Sequence, residues 1–578
     1  DRSPSRGLGD VYKRQVMAIL KNPWLDVFSR SYQSIKSQLV QNMRTKLPEV
    51  TDYSEGNIFS ILLSMWSSIA EVIHYYLDNM ARETFFISAR RYSSLVKHSK
   101  LVDYHIKAAI PASTDVLIQI NNGDMAKEDY IIPIGTTFNG TNGLTYISTK
   151  QKTFYKDTYG VYVPVEQKTL VPEKDLGVIS DPNAIIYIDE TDGFYVEGSA
   201  VLKLGGILWT LVETLGYSGP NDKHYMVELT EDQKPYIVFG DGMYGEKPAV
   251  NSPILLSYFI TKGEAGNDAE NTLTSVDGDL GIKDRTITNP NRITGGSNYE
   301  NFDMLKEHVP LNIRTLGVAI TKQDYIDVTK LAPGVDKAYI DFRCGKFVDI
   351  YIIPDGGGVA SESLRDATYR YVSSKKIITT NIRVLPAGSS YVVLNLTVTG
   401  MPSLRSNIVS DDILRALVQN YDYSNSDINK VIRLSDLYAL IDNLSTVDYL
   451  TIDSIYTIPY PNKSEDTETD LNLSNFKVKS IEDEVNYTIS YLEKDTFTIA
   501  SEFGEVYSTF LGSPITIISE SAGVNFTFTI GNPLSGAYKI GDTWEMKVIP
   551  NGKDQIINDY SVPRIIASNV HINVIETS

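Results

Sequence analysis

At 578 residues the chain is long enough for three or four domains, each with its own core. Hydrophobic residues make up 42% of it and charged residues 22%, the composition of an ordinary globular protein. Lys and Arg total 53 against 72 Asp and Glu, a net charge of −19. So acidic a surface argues against gripping the phosphates of a nucleic acid as a main role. The single cysteine, Cys344, excludes an intramolecular disulfide and reads as an inert thiol.

In chain order, Asp10-Val11-Tyr12-Lys13-Arg14-Gln15 is what a common transposase sequencing adaptor encodes in frame. Residues 1–16 are therefore expected to be an artefact, with Met17 as the true start. Val16–Leu20 is too short for the apolar core of a signal peptide. Residues 17–105 read as helical. Asn22-Pro23 starts one helix, which stops at Leu47-Pro48. Asp52 with Glu55 suggests a capping box for the next. Its apolar positions run from Ile58 through Trp66 and Tyr76 to Met80, a face wider than one partner helix needs. Trp66 and Tyr76 are the candidate anchors of an interface on that face. The window Ile58–Leu77 also holds Ser60, Ser64, Ser67, Ser68, Glu71 and His74, so no membrane insertion is expected. A third helix is expected over Ser88–Leu101.

Residues 106–290 change texture to short β-rich runs separated by Gly, Asn and Asp, the pattern of an antiparallel β domain. The runs are Asp115–Ile120, Gly143–Ser148, Val161–Gln167, Ala184–Ile188, Ala200–Lys203, Leu208–Glu213 and His224–Leu229. Near the end stands Phe239-Gly240-Asp241-Gly242-Met243-Tyr244-Gly245, whose glycines spell G-x-G-x-x-G. A dinucleotide turn needs a helix opening directly after them. Here Lys247-Pro248 and Asn251-Ser252-Pro253 follow, then the strand-like Ile254–Ile260. The glycines therefore turn the chain between two strands, and no nucleotide is expected there.

Residues 291–460 read as an α+β domain. Helices are expected at Glu300–His308, Thr321–Lys330, Ser361–Ser374, Asp411–Tyr421 and Leu434–Asn443. Strands are expected at Phe347–Ile353, Asn381–Leu385, Tyr391–Thr399 and Tyr449–Ile458. After the polar stretch Lys463–Asp470, residues 461–578 read as a C-terminal β domain. The predicted fold class is thus multidomain α+β, with an N-terminal helical bundle segment, an antiparallel β domain, a central α+β domain and a C-terminal β domain.

Catalytic constellations are not evident. Pro354-Asp355-Gly356-Gly357-Gly358 lacks the lysine of a phosphate-binding loop. His74, His98, His105, His224, His308 and His571 are scattered, and no metal set is completed. No Gly-x-Ser-x-Gly occurs. The 37 tyrosines suit either protein contacts or sheet faces.

Two segments carry a family resemblance. One is the turn Gly240, Asp241, Gly242 and Gly245, followed by Gly266-Asn267. The other is Arg314-Thr315-Leu316-Gly317, then Thr321-Lys322-Gln323-Asp324-Tyr325 and Pro333-Gly334-Val335. Together, and in this order, they resemble the baseplate J-like family, structural subunits of contractile phage tails and related injection machines. Size and the extra C-terminal domain resemble the large wedge subunit. The resemblance implies a non-enzymatic virion protein, assembled in the host cytoplasm without cofactor or metal. Its implied partners are other wedge and hub proteins and further copies of itself, joined in a ring whose shape change releases sheath contraction. A tail spike or polysaccharide-degrading protein, or the same subunit of a non-phage injection system, are the alternatives.

Overall fold

The computed structural model describes residues 31–575 apart from 103, 122–123, 182–184, 344–346, 403, 424, 460, 464–466, 468, 520–521 and 551–559. The adaptor-like run, the helix start at Asn22-Pro23 and Cys344 lie outside the described residues. Among those described, the chain forms eight α-helices and seven sheets, a multidomain α+β fold. It divides into two compact units. The first holds the described residues up to Ile106 with Leu229–Lys234 and Asn301–Pro310, and the second holds the rest.

The first unit is built on α1 (Tyr32–Lys46), α2 (Ile58–Glu83) and α3 (Tyr92–Leu101). Ser31 caps α1, and Leu47 before Pro48 ends it. The cap of α2 is Asn57, whose side chain accepts from Phe59 N–H at 2.9 Å, and not Asp52 with Glu55. Asp52 instead accepts from Ser54 N–H at 2.9 Å, a local turn that competes with helix. α3 starts four residues later than Ser88, because the Glu83 carboxylate takes the N–H groups of Arg90 and Arg91 and holds a turn there.

In the second unit, a six-stranded antiparallel sheet carries Ser113–Ile120 next to its edge, between Gly160–Glu166 and the edge strand Arg285–Thr288. Its inward residues include Val116, Ile118, Phe138, Tyr146 and Val163. An eight-stranded sheet follows, with Pro253–Thr261 paired to Thr169–Val178 and Val201–Leu204. Thr169–Val178 escaped the sequence reading because it is a largely exposed edge strand with Pro172 and no alternation.

Residues Asn301–Pro310 of the first unit open α4 (Phe302–Thr315), and α5 (Lys322–Lys330) lies in the second unit. Asn301 caps α4, accepting from the N–H groups of Asp303 and Met304. This helix runs seven residues beyond His308, with Pro310 inside it, since an internal proline removes one hydrogen bond and does not always end a helix. α5 begins with a complete Thr321–Asp324 capping box. Strand Val335–Arg343 pairs antiparallel with Phe347–Pro354, which runs parallel to Asn381–Pro386. Parallel neighbours need a crossover, and α6 (Glu362–Lys375) supplies it. Leu364 and Val372 of α6 pack on Ile340, Ile350 and Ile352.

Strand Gly388–Gly400 then pairs with Val447–Thr457, under α7 (Ser406–Asn420) and α8 (Leu434–Asp442). Past this point two antiparallel sheets form a sandwich. One contains Val485–Tyr491, Thr496–Ser501, Val506–Phe510 and Thr543–Val548. The other contains Leu473–Ser480, Pro514–Ser519 and Val524–Ile530. Strict alternation puts Tyr487, Phe497, Phe526, Phe528 and Trp544 between them. The last strands correct the linear reading of residues 461–578. Ser561–Arg564 and Val570–Ile575 pair in parallel with Gly388–Gly400, so the sandwich is an insertion into the α+β sheet.

Candidate functional site

Helix α2 reverses the usual arrangement of a surface helix. Its buried residues are Ser60, Ser67 and Asp78. Thirteen large apolar side chains are exposed instead: Ile58, Phe59, Ile61, Leu62, Met65, Trp66, Ile69, Val72, Ile73, Tyr75, Tyr76, Leu77 and Met80. The covered stripe is small and polar, and α1 packs along the helix. The Ser64 and Ser67 hydroxyls donate to the Ser60 and Leu63 carbonyls of their own helix, so they are satisfied where they lie. Glu71 accepts from Tyr32 N–H at 3.0 Å, tying the start of α1 to α2.

At about 100° per residue, the exposed apolar positions sweep an arc of roughly 200°, twice the stripe that one partner helix needs. Trp66 and Tyr76 both lie on this arc, 64% and 65% exposed. By length and composition α2 is also apolar enough to cross a membrane.

The candidate turn has a different character. Gly240, Asp241, Gly242 and Gly245 lie between strands Pro235–Phe239 and Pro253–Thr261, and no helix follows them. Gly242 and Gly245 both have φ of 93°, in the left-handed region. Gly240 is required for another reason: a Cβ there would stand 2.2 Å from the Gly245 carbonyl carbon. The Asp241 carboxylate accepts from Met243 and Tyr244 N–H, each at 2.8 Å. Those two bonds hold its pKa below the usual carboxylate value. Gly245 N–H donates to Gly219 O at 3.2 Å, which locks the turn to its neighbouring loop.

Gly266 and Asn267 do separate work. The Asn267 amide brackets Gly296, donating to its carbonyl and accepting from its N–H, both at 2.9 Å. A side chain at Gly296 would meet the Asn267 oxygen at 2.8 Å, so the glycine permits the clamp. The motif residues thus fall into two places, a turn and a clamp.

Two polar clusters had no signal in the sequence, because their members are far apart in the chain. In one, Glu300 accepts from Lys107 N–H at 3.2 Å and Glu197 from Ala108 N–H at 3.3 Å. Burial lowers the Lys107 pKa, partly offset by Glu300 and Glu197. In the other, Asp115, Glu166 and Lys150 meet the first turn of α6. The glycines at 356–358 all have positive φ, and Gly357 lies against Tyr423 where a Cβ would have no room. His98 Nε2 lies 2.9 Å from Glu83 O, a structural contact. Among the described residues no group of three His, Cys, Asp or Glu is arranged to hold a metal.

Residues 27–101, the segment that carries α2, match the family described as "Bacteriophage baseplate protein, N-terminal domain". No curated protein matches the chain. Among solved structures, a chain of the six-fold symmetrised cryo-EM baseplate of the anti-feeding prophage is similar at 12% identity. The match covers 73% of this chain and 86% of that one, at a TM-score of 0.26. The protein is therefore phage-tail-baseplate-like in its N-terminal segment.

Proposed function

We propose that this protein is a structural, non-catalytic subunit of a contractile-tail baseplate. On this reading it is a wedge component that joins wedges into a ring around the tail hub and passes on the shape change that releases sheath contraction. The observation that carries the proposal is the exposed apolar arc of α2, lying within the segment that matches a baseplate N-terminal domain. Thirteen exposed side chains on one helix amount to roughly 1,000 Å² of apolar surface, the scale of a stable protein interface and far above a scattered background. Trp66 and Tyr76 are its proposed anchors. The glycine turn at 240–245 and the Gly266-Asn267 clamp keep the β-rich region rigid, as a part that transmits movement requires. The proposed modules are residues 17–105, 106–290, 291–460 and 461–578, with the last strands returning to the third. A non-phage contractile injection system would use the same subunit in the same way.

The test replaces Trp66 and Tyr76 singly by Asp. Each variant is expected to keep its circular dichroism and to lose co-purification with neighbouring tail proteins. Normal assembly of both variants would falsify the surface. The composition of α2 also suits a lipid bilayer, although Glu71 and Asp78 stand within it. Flotation of the wild-type chain with vesicles, undiminished at high salt, would favour that second reading.

A further inference from the structure

The segment between α4 and α5 belongs to neither the glycine turn nor the clamp, and its backbone is strained. Leu316 has φ of 50° and Gly317 has 72°. A bulky residue in the left-handed region costs stability that glycine would not. Leu316 offsets none of this by burial, since it is 83% exposed. A strained, unburied apolar residue points to a role outside the fold itself. Ala319 N–H donates to Lys375 O at 2.9 Å and Ala319 pairs with Lys376, so this segment lies beside the loop that follows α6. Ala319 is fully buried, and alternation turns Val318 and Ile320 outward. Ile377 is exposed next to them, and Ile378 stands 96% exposed on a turn closed by Thr380 N–H to Ile377 O. Residues 313–323 and 374–380 hold Arg314, Lys322, Lys375 and Lys376 and no carboxylate, in a chain of net charge −19. Arg314 is paired with the buried Asp327, while Lys322 and Lys375 lie over the rings of Tyr339 and Tyr371.

The sandwich, whose core is complete, leaves an apolar edge of the opposite charge. Strand Val506–Phe510 is the edge of its five-stranded sheet. Val506 and Phe510 are exposed on one face of that strand, and Phe503 and Leu492 are exposed on the turns at the two ends of the hairpin. Residues 492–510 hold Glu493, Asp495, Glu502 and Glu505 against the single Lys494. An apolar edge strand of this kind is a template for association. We propose that these two surfaces bind each other between copies of this chain, the basic loop pair of one against the acidic sandwich edge of the next. Opposite charge around two apolar centres favours this pairing and opposes contact of either surface with its own kind. Such a contact is head-to-tail, so each pair keeps two unused halves and can grow or close into a ring. It names a contact for the ring of the proposed function and rests on that reading, but the α2 arc takes no part in it.

Sedimentation velocity of the full chain carrying Trp66→Asp reads this contact with the α2 anchor removed, so failure of the one surface is distinguishable from failure of the other. This background chain is expected to form dimers and larger species at about 10–100 μM, fewer at high salt. Adding Ile378→Asp or Phe510→Ser should weaken association about tenfold or more. Mixed one to one, these two variants should form dimers and nothing larger, because each retains the half that the other lacks. Leu316→Gly should keep or raise the melting temperature, by relieving the left-handed backbone, and still weaken association. A background chain that stays monomeric overturns the proposal. So does association that either variant leaves intact, or a mixture that forms no dimers.

Discussion

The α1–α2 hairpin and the C-terminal β-sandwich treat their large apolar residues in opposite ways. In the sandwich, Trp544 is fully buried and its Nε1–H donates to Thr469 O at 2.9 Å, while Phe497 and Tyr538 pack on it and on each other, and Tyr487 packs on Phe526. In the hairpin, Trp66 and Tyr76 face outward and serines face inward. Two sheets whose alternation matches face to face can finish a core within one chain. A helix with an apolar arc of about 200° cannot be covered by one short companion. The sandwich is complete as it stands, whereas the hairpin retains a large apolar surface whose burial would be favourable.

The largest expected effect tests this contrast through its two tryptophans. Trp544→Ala should cost about 3–5 kcal/mol by chemical denaturation, through loss of packing and an orphaned carbonyl. Trp66→Ala should change the stability of the isolated chain by only about 0.5 kcal/mol while weakening assembly by about 2 kcal/mol or more. Equal stability losses for the two would place Trp66 in a closed core and end the contrast.

A smaller effect comes from the glycine turn, which belongs with the self-sufficient part. Gly240→Ala should cost about 2–3 kcal/mol, since its methyl would collide with the backbone of Gly245. Gly242→Ala meets open space and should cost only the left-handed strain, about 1–2 kcal/mol. Thermal melts of the two variants check the order, and a reversed order would mean the turn relaxes. The smallest effects are at caps. Asn57→Ala on α2 and Thr321→Ala on α5 should each lose about 1 kcal/mol. If partner binding supplies most of the order of α2, Asn57→Ala should reduce helicity in the free chain and recover in the assembled one. Thr321→Ala should behave alike in both states.

Helix and strand positions in the central region were largely readable, because each carries a local mark. Ser361 and Thr321 announce their helices as caps, and Phe347–Pro354 is an apolar run interrupted only by Asp349. Reading failed where marks conflict or are missing. Pro310 suggests an end that the fold does not use, Asp52 offers a turn in place of a cap, and Thr169–Val178 is too exposed to alternate. The tyrosines divide between the two uses that composition allows. Tyr146, Tyr195, Tyr225 and Tyr487 are enclosed in the β regions, and Tyr75 and Tyr76 stand outside on α2.

Sequence by itself determined the multidomain α+β class, the breadth of the α2 apolar face, and the assignment of the Gly240–Gly245 run to a turn between strands. Each of these depends on neighbours a few residues apart, where periodicity and proline or glycine chemistry act directly. Only the tertiary structure decided which face of α2 is covered, that Asn267 clamps Gly296, and that Asp115 caps a helix 247 residues away. It also decided that the chain returns after the sandwich to pair with Gly388–Gly400. Such contacts join residues that chain closure brings together at an entropic cost shared by the whole fold, and no local pattern records them.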